Sequence, residues 1–262
     1  MKSRIIAIAN QKGGVGKTTT AINLGAALAM RGHRTLLIDL DPQGNASTGL
    51  GVARDTRKLS TYDLILGDAV PSQMALATDV ENLSIIPATM DLSSADTELM
   101  NSPRRVAHLR NALRLRDTAF EFVLIDCPPS LNLLTINAFV AADSLLVPLQ
   151  AEFLALEGLS QLLLTVREVR ATANADLRVE GVVLTMFDRR NNLSLQVEQD
   201  AREHLGDLVF ETKIPRNVRL SEAPSHAMPV LNYDPTSRGA IAYRSLAAEM
   251  LHRLTLKAGQ NV

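Results

Sequence analysis

Residues Lys12-Gly13-Gly14-Val15-Gly16-Lys17-Thr18-Thr19 decide the fold. An apolar run, Ile5-Ile6-Ala7-Ile8-Ala9, precedes them, and a helix-forming run, Ala21-Ile22-Asn23-Leu24-Gly25-Ala26-Ala27-Leu28, follows. Strand, glycine-rich turn and helix in that order form the setting of a phosphate-binding loop. Three glycines let the backbone curl so that successive N–H groups converge on one anion. The helix that follows adds its free N–H groups and the positive end of its dipole. In that setting Lys17 places an ammonium on the β- and γ-phosphates of a nucleotide, and the Thr18 hydroxyl holds Mg²⁺.

The common spacing, G-x-x-x-x-G-K-[ST], asks for a glycine where the chain has Gln11. A second lysine, Lys12, stands at the mouth of the loop instead. Taken alone, Lys12 reads as an ordinary exposed lysine. The octet K-G-G-V-G-K-T-T resembles the deviant Walker A loop of the ParA/MinD class of P-loop ATPases. That resemblance implies ATP and Mg²⁺ as cofactors, held by Lys12, Gly13, Gly14, Val15, Gly16, Lys17, Thr18 and Thr19. It also implies a homodimer with ATP sandwiched between subunits, in which Lys12 reaches the partner subunit's nucleotide.

Composition narrows the alternatives. The chain has 262 residues, of which 46% are hydrophobic, enough for a large core and too many for general disorder. Aromatic residues make up 3% and tryptophan is absent, which argues against stacking platforms for single strands. A net charge of −1 means that any DNA binding comes from a local basic patch. The single cysteine, Cys127, excludes a disulfide framework, a cysteine zinc cage and a subunit-bridging iron–sulfur cluster of the nitrogenase iron-protein kind. It reads as a small buried hydrophobe. The five histidines show no metal spacing. The opening Met1-Lys2-Ser3-Arg4 does not read as a signal peptide, and no apolar run approaches a membrane span. The expectation is a cytoplasmic protein without a membrane segment.

Strands are expected at 5–9, 34–39, 84–88, 122–126, 144–148, 179–186 and 211–214. Helices are expected from 17 to about 31, then at 59–68, 104–116, 131–142, 156–172, 194–205 and 237–256. The stretch from 215 to 225 reads as a loop. Strands alternating with helices predict one doubly wound, mostly parallel sheet with helices on both faces, as a single P-loop ATPase domain over 1–262. No internal repeat or linker divides the chain.

Phosphoryl transfer needs charge neutralisation, a positioned metal and an oriented water. Asp126 ends the apolar strand Phe122-Val123-Leu124-Ile125 and is the Walker B candidate, a metal-shell acid. Asp39 and Asp41 close another strand in Asp39-Leu40-Asp41-Pro42-Gln43-Gly44-Asn45. Acids two apart on an extended segment point the same way, which suits one metal-facing and one water-facing group. The same segment also reads as a turn held by aspartate side chains. D-x-D-P-Q-G-N resembles the switch segment of the ParA family, which implies Asp41 on the attacking water and Asp39 in the metal shell.

Pro215-Arg216-Asn217 alone reads as a turn. The longer run from Ile214 to His226, I-P-R-N-V-R-L-S-E-A-P-S-H, resembles the C-terminal signature of chromosomal ParA (Soj-like) proteins. That implies Pro215 and Asn217 at the adenine. With I-D-C-P-P-S, the resemblance runs from Lys12 to about Gly239. Arg189, Arg190, Arg216 and Arg219 fall in loops, with Arg167 and Arg170 near one face of a helix. Near-neutral net charge favours a balanced surface. The resemblance implies that Arg190 and Arg219 bind double-stranded DNA non-specifically.

The function implied is a nucleoid-associated, slow, partner-stimulated ATPase that partitions chromosomes or plasmids with a ParB-type centromere-binding protein. Absence of an N-terminal DNA-reading domain leans toward the short chromosomal type. The alternative is a MinD-like ATPase cycling on membranes, which needs a basic amphipathic C-terminal helix. The tail from Met250 to Val262 has only Arg253 and Lys257 as cations and reads as a core-packed helix. A ligase or kinase on the same fold is a further possibility, and no acceptor site marks it.

Overall fold

The computed structural model describes residues 3–67, 69–114, 119–152 and 155–259. The first half runs β1 (Arg4–Ile8), α1 (Lys17–Ala29), β2 (Thr35–Asp39), α2 (Asn45–Gly49), α3 (Thr61–Leu66), α4 (Pro71–Met74), β3 (Leu76–Ala77), β4 (Leu83–Ile86), α5 (Leu92–Met100) and α6 (His108–Arg114). The second half runs β5 (Phe122–Asp126), α7 (Leu133–Ala141), β6 (Ser144–Gln150), α8 (Ala155–Thr172), β7 (Arg178–Thr185), α9 (Asn192–Leu205), α10 (Val218–Glu222), α11 (Val230–Tyr233) and α12 (Arg238–Gly259). The seven strands lie in the order β3-β4-β2-β5-β1-β6-β7, parallel except for the antiparallel edge strand β3.

Side chains alternate along each strand, so the sheet feeds two cores. Ile5, Ala7, Leu36, Ile38, Val123 and Ile125 face one side, with Leu64, Leu92, Leu109, Phe139 and Leu162 from the helices there. Ile6, Ile8, Leu37 and Leu124 face the other, under Leu24 and Leu28 of α1 and Tyr243, Leu246 and Met250 of α12. Near-continuous apolar strands follow from burial on both faces. The expected doubly wound parallel sheet is the observed fold.

Three expectations change. The expected strand at 211–214 forms no ladder; only single bridges join Val209 to Val182 and Pro215 to Phe187. Glu249 of α12 accepts the backbone N–H groups of Glu211 at 2.8 Å and Thr212 at 2.9 Å, so a side chain takes bonds a neighbouring strand would use. The expected loop after Asn217 is helical, as α10 and a 3₁₀ turn, Ala223–His226. Asn217 caps α10, its side chain accepting from Arg219 N–H at 2.9 Å. Helix α5 carried no expectation. The expected helix over 104–116 is shorter at its start, and its residues 115 and 116 lie outside the described residues.

Candidate functional site

β1, β2 and β5 are neighbours, and their carboxyl ends meet at one sheet edge, where open α/β sheets bind ligands. The loop from β1 to α1 turns back on Gly14 (φ 75°) and Gly16 (φ 87°), left-handed conformations that favour glycine. Gly16 caps α1 without a side-chain hydrogen bond. That leaves the first amides of a buried helix for an anion. Thr185, at the end of β7, donates its hydroxyl to the Val15 carbonyl at 2.8 Å and braces the loop.

Lys17 lies under the loop, 7% exposed, and donates to the Lys12 carbonyl at 3.0 Å. Burial pushes its ammonium pKa down, and the neighbouring Asp126, Cys127 and Asp41 push it up. A phosphate would add negative charge that offsets the hydration lost on burial. Lys12 is exposed, and its ammonium pairs with Glu152 of the same chain at 3.2 Å.

Sheet register sets Asp39 of β2 directly opposite Asp126 of β5. Both are fully buried. Asp39 accepts from Ser47 N–H at 2.8 Å, from Ser47 Oγ at 2.6 Å and from Asp41 N–H at 3.3 Å. Burial, more than these bonds can offset, raises its pKa to about 6. Neither oxygen of Asp126 has a hydrogen-bond partner among the described residues. Burial first and the Asp39 charge second hold its carboxyl well above the usual range. The Thr18 hydroxyl lies close enough to favour the charged form, but makes no full hydrogen bond. A buried, partnerless carboxylate beside a second one lacks a cation. Mg²⁺ is bound through one or two carboxylates and phosphate oxygens with its waters kept, which fits this donor set. Asp41, two residues on, is half-buried at the mouth, its Oδ1 accepting from Gln43 N–H at 3.0 Å.

Beside the loop opens a cavity of about 600 Å³ lined by Gly16, Thr19, Met186, Pro215, Asn217 and Tyr243. Met186 holds φ 51°, a conformation uncommon outside glycine. Asn217 spends its oxygen on the α10 cap, while its amide N–H groups make no hydrogen bond among the described residues. Tyr243 closes the floor, its hydroxyl 3.1 Å from Thr20 Oγ1.

Pro215 and Arg216 also wall a second, larger cavity of about 980 Å³. Five cations line it, Arg189, Arg190, Lys213, Arg216 and Arg238, against the acids Asp188 and Glu211. Arg190 is paired with Asp188 at 3.0 Å, which holds that carboxyl near 2. Arg189, Arg216 and Arg238 form no ion pair among the described residues. Arg219 does not line the groove; it is neutralised by Glu222 at 2.8 Å and Asp234 at 3.3 Å. Arg167 and Arg170 stand exposed on α8 and line neither cavity. Lys213 and Arg238 carried no expectation, because they fell inside the strand expected at 211–214 and the helix expected at 237–256, and only the packed chain sets them beside Arg189.

Cys127 is sealed beside Asp126, and burial pushes its thiol pKa far up, so it stays a neutral hydrophobe. His226 stacks on Tyr233, ring centroids 4.8 Å apart, in a packing role.

A family model described as an AAA domain matches residues 3–179. The chain is 56% identical over 252 residues to the chromosome partitioning protein ParA of Caulobacter vibrioides, covering 95% of this chain and 94% of that one. It is 53% identical over 247 residues to the sporulation initiation inhibitor protein Soj of Bacillus subtilis, covering 94% and 98%. Among solved structures, cobyrinic acid a,c-diamide synthase from Mycobacterium smegmatis with bound ADP and magnesium superposes with a TM-score of 0.84 at 39% identity, covering 97% and 96%. The nucleotide loop, the paired aspartates and these full-length matches lead to one placement: the chain belongs to the ParA/Soj family of chromosome-partitioning proteins.

Proposed function

We propose that this chain is a partitioning ATPase that binds Mg·ATP at the β1–α1 loop, closes as a homodimer around the nucleotide, and then holds DNA non-specifically. The observation that carries the reading is the buried Asp126, partnerless among the described residues and set against Asp39 below a helix start that no side chain caps. The relatives' partitioning role and the ADP and magnesium in the Mycobacterium smegmatis structure support it.

Each residue has a part. The backbone from Gly13 to Thr19 receives the phosphates, and Lys17 neutralises their charge. Thr18, Asp39 and Asp126 would hold Mg²⁺, which supplies further charge neutralisation on the β- and γ-phosphates. Asp41 orients the attacking water, since it alone of the three acids opens to solvent. Pro215 packs against the adenine, and the Asn217 amide donates to its edge. Lys12 leaves Glu152 to reach the partner subunit's nucleotide. A ParB-type protein stimulates hydrolysis, and release of DNA follows.

The DNA surface is the groove beside the base cavity. Among the described residues its cations without an ion pair are Arg189, Arg216 and Arg238, so they, with Arg190, take the phosphates. Such contacts read no sequence and weaken steeply with salt. Arg219, already paired twice, has a minor share. The shared Pro215–Arg216 wall joins the base cavity to this surface. A membrane-surface role has little support. α12 gives Leu246, Met250 and Leu254 to the core, leaving Leu256 as the exposed large apolar residue near its end among the described residues.

The test uses wild type, Asp41→Ala and a triple Arg189→Glu/Arg216→Glu/Arg238→Glu variant, with ATP and with ADP. Size exclusion should show an ATP-dependent dimer that persists in Asp41→Ala. Gel shifts on random duplex DNA should require ATP and fail for the triple variant, which still dimerises. Normal turnover by Asp41→Ala refutes the water assignment, and unchanged DNA affinity in the triple variant refutes the groove.

A further inference from the structure

The segment carrying Asp41 leans on a buried cation that no acid pairs among the described residues. Arg57 follows the 3₁₀ turn Arg54–Thr56 and is 8% exposed. Its Nε and Nη2 donate to the Val52 carbonyl at 3.3 and 2.9 Å, and Nη1 donates to the Ala88 carbonyl at 2.9 Å. Nη2 also donates to Thr48 Oγ1 at 2.8 Å. No carboxylate forms an ion pair with it among the described residues.

Burying a guanidinium is expensive even when it is hydrogen-bonded. A methionine would fill the same space without that penalty. The fork therefore matters for what it holds, and what it holds is one network. The Thr48 hydroxyl donates to the Gly44 carbonyl at 3.0 Å, and Gly44 N–H donates to the Asp41 carbonyl at 2.9 Å. Ala88, which takes Nη1, donates its N–H to Ser47 Oγ at 3.1 Å, and that hydroxyl donates to Asp39. Gly44 sits at φ 65°, and a Cβ there would overlap Arg57 Nη1. The turn from Asp41 to Gly44 is thus moulded on the guanidinium.

We infer that Arg57 is a positioning residue for ATP hydrolysis: bridging Thr48, Val52 and Ala88, it sets the Asp41 carboxylate where it orients the attacking water. This rests on the reading of Asp41 given above. Arg57 does not line the cavity beside the phosphate loop; it acts through the turn.

The test compares Arg57→Met, Arg57→Lys, Thr48→Ala and Asp41→Ala in single-turnover ATP hydrolysis, with ATP affinity measured in parallel. Arg57→Met keeps the volume and loses every donor. Its hydrolysis rate should fall about ten- to hundredfold, the scale of a misplaced catalytic group, with ATP affinity within threefold of wild type. Arg57→Lys, which reaches fewer acceptors, should fall between Arg57→Met and wild type. Thr48→Ala removes one acceptor at an exposed position, so it reports on the network even if Arg57→Met folds poorly. Its rate should drop severalfold, with amide exchange quickened at Gln43, Gly44 and Thr48 and unchanged in α1. Equal losses in rate and ATP affinity overturn the proposal, as does an unchanged rate in Thr48→Ala. Normal turnover in Asp41→Ala overturns the Asp41 reading and this one together. An inactive Asp41→Ala beside fully active Arg57 variants overturns this one alone.

Discussion

Replacing Asp39 by asparagine should make the nucleotide-free protein more stable above pH 6. Burial lifts the Asp39 pKa from an ordinary 3.8 to about 6. In the fold its proton is therefore held more tightly than in the unfolded chain. By linkage, the stability this confers is complete below the unfolded value and is lost as pH rises through about 6. A shift of about two units is worth roughly 3 kcal/mol at 1.36 kcal/mol per unit, and wild type forgoes it at pH 8. The asparagine is neutral at every pH and still accepts from Ser47 through its oxygen. Its amide would face Asp41 N–H, now a donor to Asp39 Oδ1. A lost hydrogen bond there costs about 1 kcal/mol. The net gain is about 2 kcal/mol at pH 8, or about 4–8 °C in Tm for a chain of this size. The assay is calorimetry of both proteins with chelator and no nucleotide, at pH 8 and pH 4.5. Asp39→Asn should melt higher at pH 8 and lose most of that advantage at pH 4.5. With Mg·ATP the order should reverse, because wild type alone keeps both metal-shell carboxylates, Asp39 and Asp126. An equal or lower Tm for Asp39→Asn at pH 8 without metal would refute the claim that this acid is held charged at a cost.

Two further outcomes follow from other parts of the molecule. Gly181→Ala should destabilise the protein by about 1–3 kcal/mol in urea unfolding, because a Cβ there would stand 2.5 Å from the Phe210 ring and 2.8 Å from the Leu208 carbonyl. An unchanged midpoint would mean that the segment across from β7 is loosely held. Glu152→Gln should tighten the ATP-dependent dimer in analytical ultracentrifugation by about two- to thirtyfold. An exposed pair is worth about 0.2–1 kcal/mol, and two Lys12–Glu152 pairs part per dimer. A weaker dimer would show that Glu152 helps the interface instead of restraining Lys12.

The legible part of this protein was local. Eight consecutive residues, Lys12 to Thr19, announced a phosphate loop because the backbone conformations it needs depend on glycines and on one strand–helix junction. Apolar runs ending in Asp39 and Asp126 announced parallel strands and placed both acids at the ligand edge. The alternation of elements was enough for the doubly wound sheet. What stayed hidden depends on residues that meet only when the sheet closes. The β2–β5 pairing sets Asp39 opposite Asp126, and burial of the pair, not its sequence, raises both carboxyl pKa values. Arg189, Lys213, Arg216 and Arg238 gather in one groove from separate elements, while Arg219, on the matched motif, is turned to Glu222 and Asp234. The 211–214 segment looked like a strand, and Glu249 of α12 took the amides of Glu211 and Thr212. Arg57 carried no expectation; Val52, Thr48 and Ala88 close around it only in the fold. Short-range backbone preference settles which elements form and where the phosphate loop lies. Charge, pairing and burial are pairwise and long-range, so only the packed chain decides which cations remain open and which acids lack a partner.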